Sequence, residues 1–224
     1  MLRGDAAWNY TVMFLEMWNA FRKTDEDIQQ FRPNVHHPQP ISTQGFVQPY
    51  SDSPLDNESL AENVYLDILS QAKHYVYIFT PYLIVDNELQ TALCLAAKRG
   101  VDVRIGTPGI PDKKLVYQLT RSYYPPLIKA GVKIFEYTPG FLHAKSFVAD
   151  DHIAVVGSIN LDYRSLYLHF ECGCLLVDSP LIQDLKQDCL QTYAVSHPVS
   201  MEDCRPGLLG GLVSAVLRVA SPLL

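Results

Sequence analysis

The chain lacks any apolar run of the roughly 18 to 20 residues that a membrane-spanning helix needs. The nearest approach, residues 208–224, is broken by Arg218 and Pro222. Basic charge is not in excess either: 18 Lys and Arg stand against 24 Asp and Glu, a formal net charge of −6. Composition therefore provides no general basic surface for gripping a nucleic-acid backbone, which speaks against nucleic acid as a partner and leaves only a local basic pocket open. Cysteine is scarce and odd in number. The five (Cys94, Cys172, Cys174, Cys189 and Cys204) show no metal-ligand spacing, so a reducing, cytosolic setting fits better than a disulfide framework. Cys172 and Cys174 read as small apolar residues of a strand. Low-complexity sequence is absent as well, and 224 residues at 48% hydrophobic content suffice for one main domain with a well-buried core.

Trp8, Val12, Phe14, Leu15 and Trp18 are spaced as one face of a helix over residues 5–21. Residues 31–43 carry Pro33, Pro38, Pro40 and the pair His36-His37. They oppose helix and sheet and read as a linker, its histidines solvated because no cysteine or carboxylate stands by to complete a metal site. From Phe46 onward the pattern becomes α/β. Helices are expected over 59–69, with Asn57 or Ser59 as cap, and over 86–99, 115–130 and 180–194; strands are expected at 75–80, 101–106, 132–137, 144–149, 152–157 and 171–177. Gly100 and Gly131 stand where helices should end. The tight Asp150-Asp151 link implies an antiparallel hairpin. The fold class expected is α/β, a mixed β-sheet flanked by helices, with an N-terminal helix and a C-terminal apolar helix. The division expected is 1–40, 41–197 and 198–224. In the last segment Leu208, Leu209, Leu212, Val216 and Val219 share a broad apolar face that suits either docking on the core or lying at a membrane interface.

The chemistry concentrates between His143 and Asn160, in the pattern H-x-K-x4-D-x6-G-S-x-N made by His143, Lys145, Asp150, Gly157, Ser158 and Asn160. Side chains alternate along a strand, so His143 and Lys145 should share one face, and the hairpin should return Ser158 and Asn160 to their level. An imidazole, a fixed cation, a hydroxyl and an amide donor together suit an anionic phosphoryl centre. No clustered carboxylates that would hold a catalytic Mg²⁺ accompany them, so metal-independent chemistry is expected.

This pattern matches the HKD signature of the phospholipase D superfamily. Stretches from Trp8 to Trp18, Thr80 to Leu83, Ser122 to Pro126 and Asn160 to Ser165 resemble the C-terminal half of bacterial cardiolipin synthases, so the likeness covers nearly the whole chain. The resemblance implies a phospholipase D-like half and a catalytic set of His143, Lys145, Asp150 and Glu171. Lys145, Ser158 and Asn160 would bind phosphate, Glu171 would hydrogen-bond the His143 ring, and Asp150 would give structural support. Arg164 is expected to form a salt bridge, with a part as a ligand as the alternative. No metal and no cofactor are implied. The reaction implied is phosphatidyl transfer between two phosphatidylglycerol molecules through a phosphohistidine, by an enzyme peripheral to the cytoplasmic membrane. Its partners would be anionic phospholipid, the membrane surface and a second HKD half. His36, His37, His74, His152, His169 and His197 all lack the H-x-K setting, so this chain carries only one motif. The counterpart would be a preceding first half, of which the N-terminal helix would be the end, or a second copy. A homodimeric phosphodiesterase or endonuclease and an inactive lipid-binding remnant stand as alternatives.

Overall fold

The computed structural model describes residues 2, 4–22, 27–33, 44–205, 215, 217–219 and 221. Strand β2 (Tyr75–Phe79) is buried at every position, which requires cover on both faces. Its alternate residues divide accordingly. Val76 and Ile78 join one apolar cluster with Leu69, Leu93, Ile105 and Phe147. Tyr75, Tyr77 and Phe79 join a second with Ile182, Cys189 and Tyr193.

Beside β2 lie β4 (Asp102–Pro108) and β5 (Lys133–Tyr137), parallel to β2 and to each other, and the short edge strand β10 (His197–Pro198), antiparallel to β5. On the other side come β6 (Ser146–Ala149), β7 (Ile153–Gly157), β9 (Glu171–Val177) and β1 (Phe46–Asp52), all antiparallel. The result is an eight-stranded mixed sheet, β1-β9-β7-β6-β2-β4-β5-β10, with a separate parallel pair of β3 (Leu83–Ile84) and β8 (Leu161–Asp162). Helices α2 (Leu60–Gln71), α3 (Asn87–Lys98) and α5 (Tyr124–Ala130) pack on the first cluster, and α6 (Leu181–Ala194) covers the second. The expected mixed sheet between helical layers is what forms. No described helix is long and apolar enough to cross a membrane.

Three local outcomes differ from the sequence expectations. The helix expected over 115–130 is two, α4 (Lys114–Ser122) and α5, broken at Tyr123. Pro125 and Pro126 follow the break and have no amide hydrogens to continue the ladder, so they stand in the first turn of a new helix. Strand β1 was not foreseen because Pro49 interrupts its pattern; proline is tolerated there because β1 is an edge strand. Strand β6 begins at Ser146, leaving His143 to Lys145 outside the regular strand. Gly131 ends α5 at φ 104° in the left-handed region, as expected. The expected cap of α2 is not made by a side chain at Ser59, and Asp52 accepts from Ala61 N–H at 3.1 Å instead. Asp86, read as the first residue of α3, caps it through its carboxylate by accepting from Leu89 N–H at 2.8 Å.

The His36-His37 pair and most of the C-terminal apolar stretch lie outside the described residues. Of that stretch, Leu217 packs on the first cluster. The Arg218 guanidinium stands 4.3 Å from the Tyr123 ring centre, and Tyr123 and Ser221 share a hydroxyl hydrogen bond of 3.1 Å.

Candidate functional site

The hairpin β6–β7 organises the site. Its turn residues Asp150 and Asp151 have φ of 52° and 59°, and His152 N–H closes the turn onto Ala149 O at 3.1 Å. A two-residue turn with both central residues left-handed follows the twist of the paired strands, and Asp tolerates that region better than most side chains.

The Asp150 carboxylate accepts from the backbone N–H groups of Lys73, His74 and Tyr75 at 2.6, 3.0 and 2.8 Å. It stitches the turn to the start of β2. From Lys145 to Asp150 the chain runs through β6, roughly 16 Å at about 3.3 Å per residue. The contacts of Asp150 are with backbone, at the far end of the strand from His143, as suits the structural support expected of it and not a place among the reacting groups. Burial alone would raise its pKa, but the three N–H donors together outweigh burial and hold the carboxyl below its usual range. A group depressed in the folded state stabilises above its unfolded pKa, and that stability is lost as pH falls through the folded value. Asp150→Asn is expected to lower stability at neutral pH by about 1–3 kcal/mol. Its denaturation midpoint should converge on that of the wild type as the pH is lowered toward the acid limit, and ligand affinity at the other end of the hairpin should stay unchanged.

That other end gathers the remaining motif residues. Lys145 Nζ lies 3.1 Å from His143 Nδ1, 3.0 Å from Nε2 and 2.9 Å from the His143 carbonyl oxygen. The two side chains meet, although by the lysine folding back along a loop and not by strand alternation. Gly157 N–H still donates to Lys145 O at 3.2 Å, which holds the lysine against the end of β7. The His143 ring is exposed and stacks on Phe141, with centroids 5.6 Å apart. Ser158 N–H donates to Cys172 O at 2.9 Å, and Cys172 N–H donates back to Ser158 Oγ at 3.0 Å. This reciprocal pair fixes the hydroxyl at the start of β9.

Glu171 departs from its expected partner. Its carboxylate accepts from the Ser158 hydroxyl, and its other oxygen lies 3.7 Å from His169 Nδ1. Among the described residues no hydrogen bond joins Glu171 to His143. The hairpin return places Ser158 beside Glu171, while His143 sits on the exposed loop before β6. The charges of two carboxylates, Glu171 and Asp162, nevertheless act on Lys145. Burial draws its ammonium below the usual lysine range, and those two carboxylates act in the opposite direction.

Asn160 sits on the loop after β7 and donates through Nδ2 to Ser165 Oγ at 3.0 Å, leaving the second amide hydrogen without a partner among the described residues. Its buried Oδ1 has no partner among the described residues. The loop is fixed from both sides. Asp162 accepts from Ser165 N–H at 2.8 Å. Thr80, at the end of β2, accepts from Leu161 N–H at 3.1 Å and donates to Tyr82 O at 2.7 Å, while β3 pairs with β8 just beyond. A hydroxyl at the mouth of a buried strand was the signal for that support. Around Asn160 lies a small pocket of about 120 Å³ lined also by Tyr82, Lys113, Asp162, Arg164 and His169. Arg164 is exposed and forms no salt bridge among the described residues, contrary to expectation. Its place in the pocket fits the ligand alternative; His169 was not predicted to line a pocket, since only tertiary folding brings residues 82, 113 and 169 together.

Elsewhere, Glu62, Asp86 and Glu88 hold ligand atoms all within 4.8 Å of one another. They stand on α2 and at the start of α3, and Asp86 is already engaged as the helix cap and as acceptor of the Tyr167 hydroxyl. They do not join the His143 set.

A family model described as cardiolipin synthase, PLD-like domain, matches residues 65–192. Over its whole length the chain is 49% identical to an uncharacterised protein of Streptococcus mutans serotype c and 35% identical to a cardiolipin synthase of a Geobacillus species, each over 225 residues. It covers 48% and 44% of those two proteins, so the chain spans about half the length of the curated relatives it matches. The fold is shared with Nuc, a phospholipase D family member from Salmonella typhimurium (TM-score 0.59, 18% identity, 70% of this chain and 99% of that one). It is shared too with phosphatidylserine synthase of Haemophilus influenzae (TM-score 0.61, 18% identity, 80% and 48%). With more than half of its length matched by one family model and all of it aligned to cardiolipin synthases, the chain belongs to the cardiolipin synthase PLD-like domain family of the phospholipase D superfamily.

Proposed function

We propose that the chain is one catalytic half of a cardiolipin synthase-type phosphatidyltransferase, converting two phosphatidylglycerol molecules into cardiolipin and glycerol at the membrane surface. The contact of the Lys145 ammonium with the His143 imidazole carries this reading. It joins a fixed cation to a group that can attack phosphorus or move a proton. Lys145, Ser158 and the second amide hydrogen of Asn160 would face nonbridging oxygens, and Glu171 would hold Ser158 in place.

Two histidines are needed. In the first step one imidazole nitrogen bonds to phosphorus as the P–O bond to glycerol breaks, and the second imidazole gives its proton to the departing oxygen. In the second step the hydroxyl of another phosphatidylglycerol attacks phosphorus, the P–N bond breaks, and the hydroxyl proton returns to the second imidazole. We assign His143 the proton-handling part and the attack to the histidine of a second HKD half, from a longer polypeptide or a second copy. The opposite protonation states required of the two rings give a bell-shaped pH-rate profile. The electrostatic task falls to Lys145 and its neighbouring donors, and we infer that turnover needs no divalent metal.

The test compares phosphatidylglycerol, phosphatidylcholine and DNA as substrates of the purified chain over a range of protein concentrations, with and without EDTA. The expected result is cardiolipin and glycerol from phosphatidylglycerol, insensitive to EDTA, at a specific activity that rises with protein concentration as halves pair. Preferred cleavage of DNA, or full specific activity in the monomer at nanomolar protein, would overturn the assignment.

A further inference from the structure

Helix α1 (Asp5–Phe21) rests against β1 without burying one residue completely. It is tied to the sheet by the Tyr10 hydroxyl, which donates to Gly173 O at 3.1 Å. Between helix and sheet remains a cleft of about 480 Å³, within the size range of small-molecule sites. Met13, Phe14 and Met17 form its helical wall, with Leu55 and Phe170 among the residues opposite. Ser158 and Glu171, the hydroxyl and the carboxylate bonded to it, also line it, and the Glu171 charge acts on Lys145. The acidic residues of the lining are Glu16, Asp52 and Glu171, and Asp52 is engaged in capping α2 through Ala61 N–H at 3.1 Å. An apolar trough of this form leads directly to the group that would handle a phosphate. Its lining joins the apolar side chains Met13, Phe14 and Met17 to the polar Ser158 and Glu171.

We propose that this cleft holds one acyl chain of the anionic phospholipid substrate, the hydrocarbon along Met13, Phe14 and Met17 and the phosphate toward Lys145 and Ser158. The proposal rests on the reading of the site as a phosphodiester site, and it gives helix α1 a part in substrate selection. Continuity with the phosphate site favours a lipid tail over a protein segment, since the cleft and the site share Ser158 and Glu171.

The test measures, by calorimetry on the whole chain, the affinity for monomeric lysophosphatidylglycerols of increasing acyl length, from hexanoyl to dodecanoyl, below their micelle-forming concentrations. A methylene that is half to fully buried is worth ~0.4–0.8 kcal/mol, so affinity should rise about two- to fourfold per added carbon until the cleft is full. Ala20→Trp, which fills the cleft from the helix, and Met17→Glu, which charges its wall, should each flatten that rise. Both positions lie outside the buried core, so each variant should keep the wild-type circular dichroism spectrum. Lys145→Ala should weaken every ligand of the series alike and leave the increment per carbon intact. Affinity independent of chain length in the wild type overturns the tail site, as does an increment unchanged in both cleft variants. An increment that flattens in the cleft variants, with no effect of Lys145→Ala on any ligand, supports the tail site while refuting the phosphate assignment.

Discussion

Replacing His143 by Ala is expected to lower phosphodiester turnover by about 10²–10⁴-fold, the range for loss of a positioned acid-base group. Lys145→Ala should act by a different route. The Lys145 ammonium touches both the ring and the carbonyl oxygen of His143 and is partly withdrawn from water. Its removal takes away a charge where nonbridging oxygens would gather theirs, and it frees the imidazole to rotate. The loss of one such transition-state partner costs on the order of 10²–10³-fold in turnover. The two variants separate in binding. His143→Ala should retain affinity for glycerol phosphate, whereas Lys145→Ala should lose about tenfold, the equivalent of a charge-assisted hydrogen bond worth ~1.5 kcal/mol. Equal, small effects in both would place the reacting centre elsewhere. The measurement needs the complete assembly, with a second half present, because a lone imidazole cannot serve both steps.

Gly157→Ala is expected to damage both fold and turnover, although it touches no functional group. A Cβ at this position would lie 2.3 Å from Cys172 O and 2.8 Å from Gly173 Cα, both backbone atoms of β9. Neither can swing aside as a side-chain end could, so β7 and β9 must separate. Overpacking that has to be relieved by backbone movement costs about 1–3 kcal/mol or more. The same movement breaks the registration of the site. Gly157 N–H bonds to Lys145 O, and Ser158 N–H bonds to Cys172 O; a shift of roughly 1 Å there is enough to lower turnover about 10²-fold. Gly140→Ala supplies the control. Its Cβ would meet only the Tyr137 ring at 3.7 Å, an ordinary contact, although it stands three residues before His143. Gly157→Ala should melt several degrees below Gly140→Ala and lose activity with it; equal behaviour of the pair would refute the argument from backbone proximity.

Much of the site was legible because its determinants are local. The spacing from His143 to Asn160 spans one hairpin, and a hairpin can be read from its turn: Asp150 and Asp151 accept left-handed backbone, and the strands on either side are apolar. The helix ends at Gly100 and Gly131 are local in the same sense, since each depends on one residue's conformational freedom. Hidden from the sequence were the pairings between distant segments. Asp150 reads as part of a catalytic motif, but residues 73–75 decide its use, because only folding brings their N–H groups to its carboxylate. Glu171 is likewise adjacent to the motif in sequence, yet the reciprocal bonding of Ser158 with Cys172 turns it toward the hydroxyl.

The amino-acid order by itself therefore determined the layer architecture, the hairpin and which polar groups could serve a phosphoryl centre, since these follow from periodicity, turn chemistry and spacing within a few residues. Tertiary structure alone decided which group each of those residues touches. It set Thr80 under the Asn160 loop, tied Asp150 to the start of β2 and left an open apolar cleft beneath α1 beside Ser158. The physical reason is that hydrogen-bond partners and cavities are defined over a few ångströms in space, and residues far apart in the chain reach that range only when the sheet is assembled.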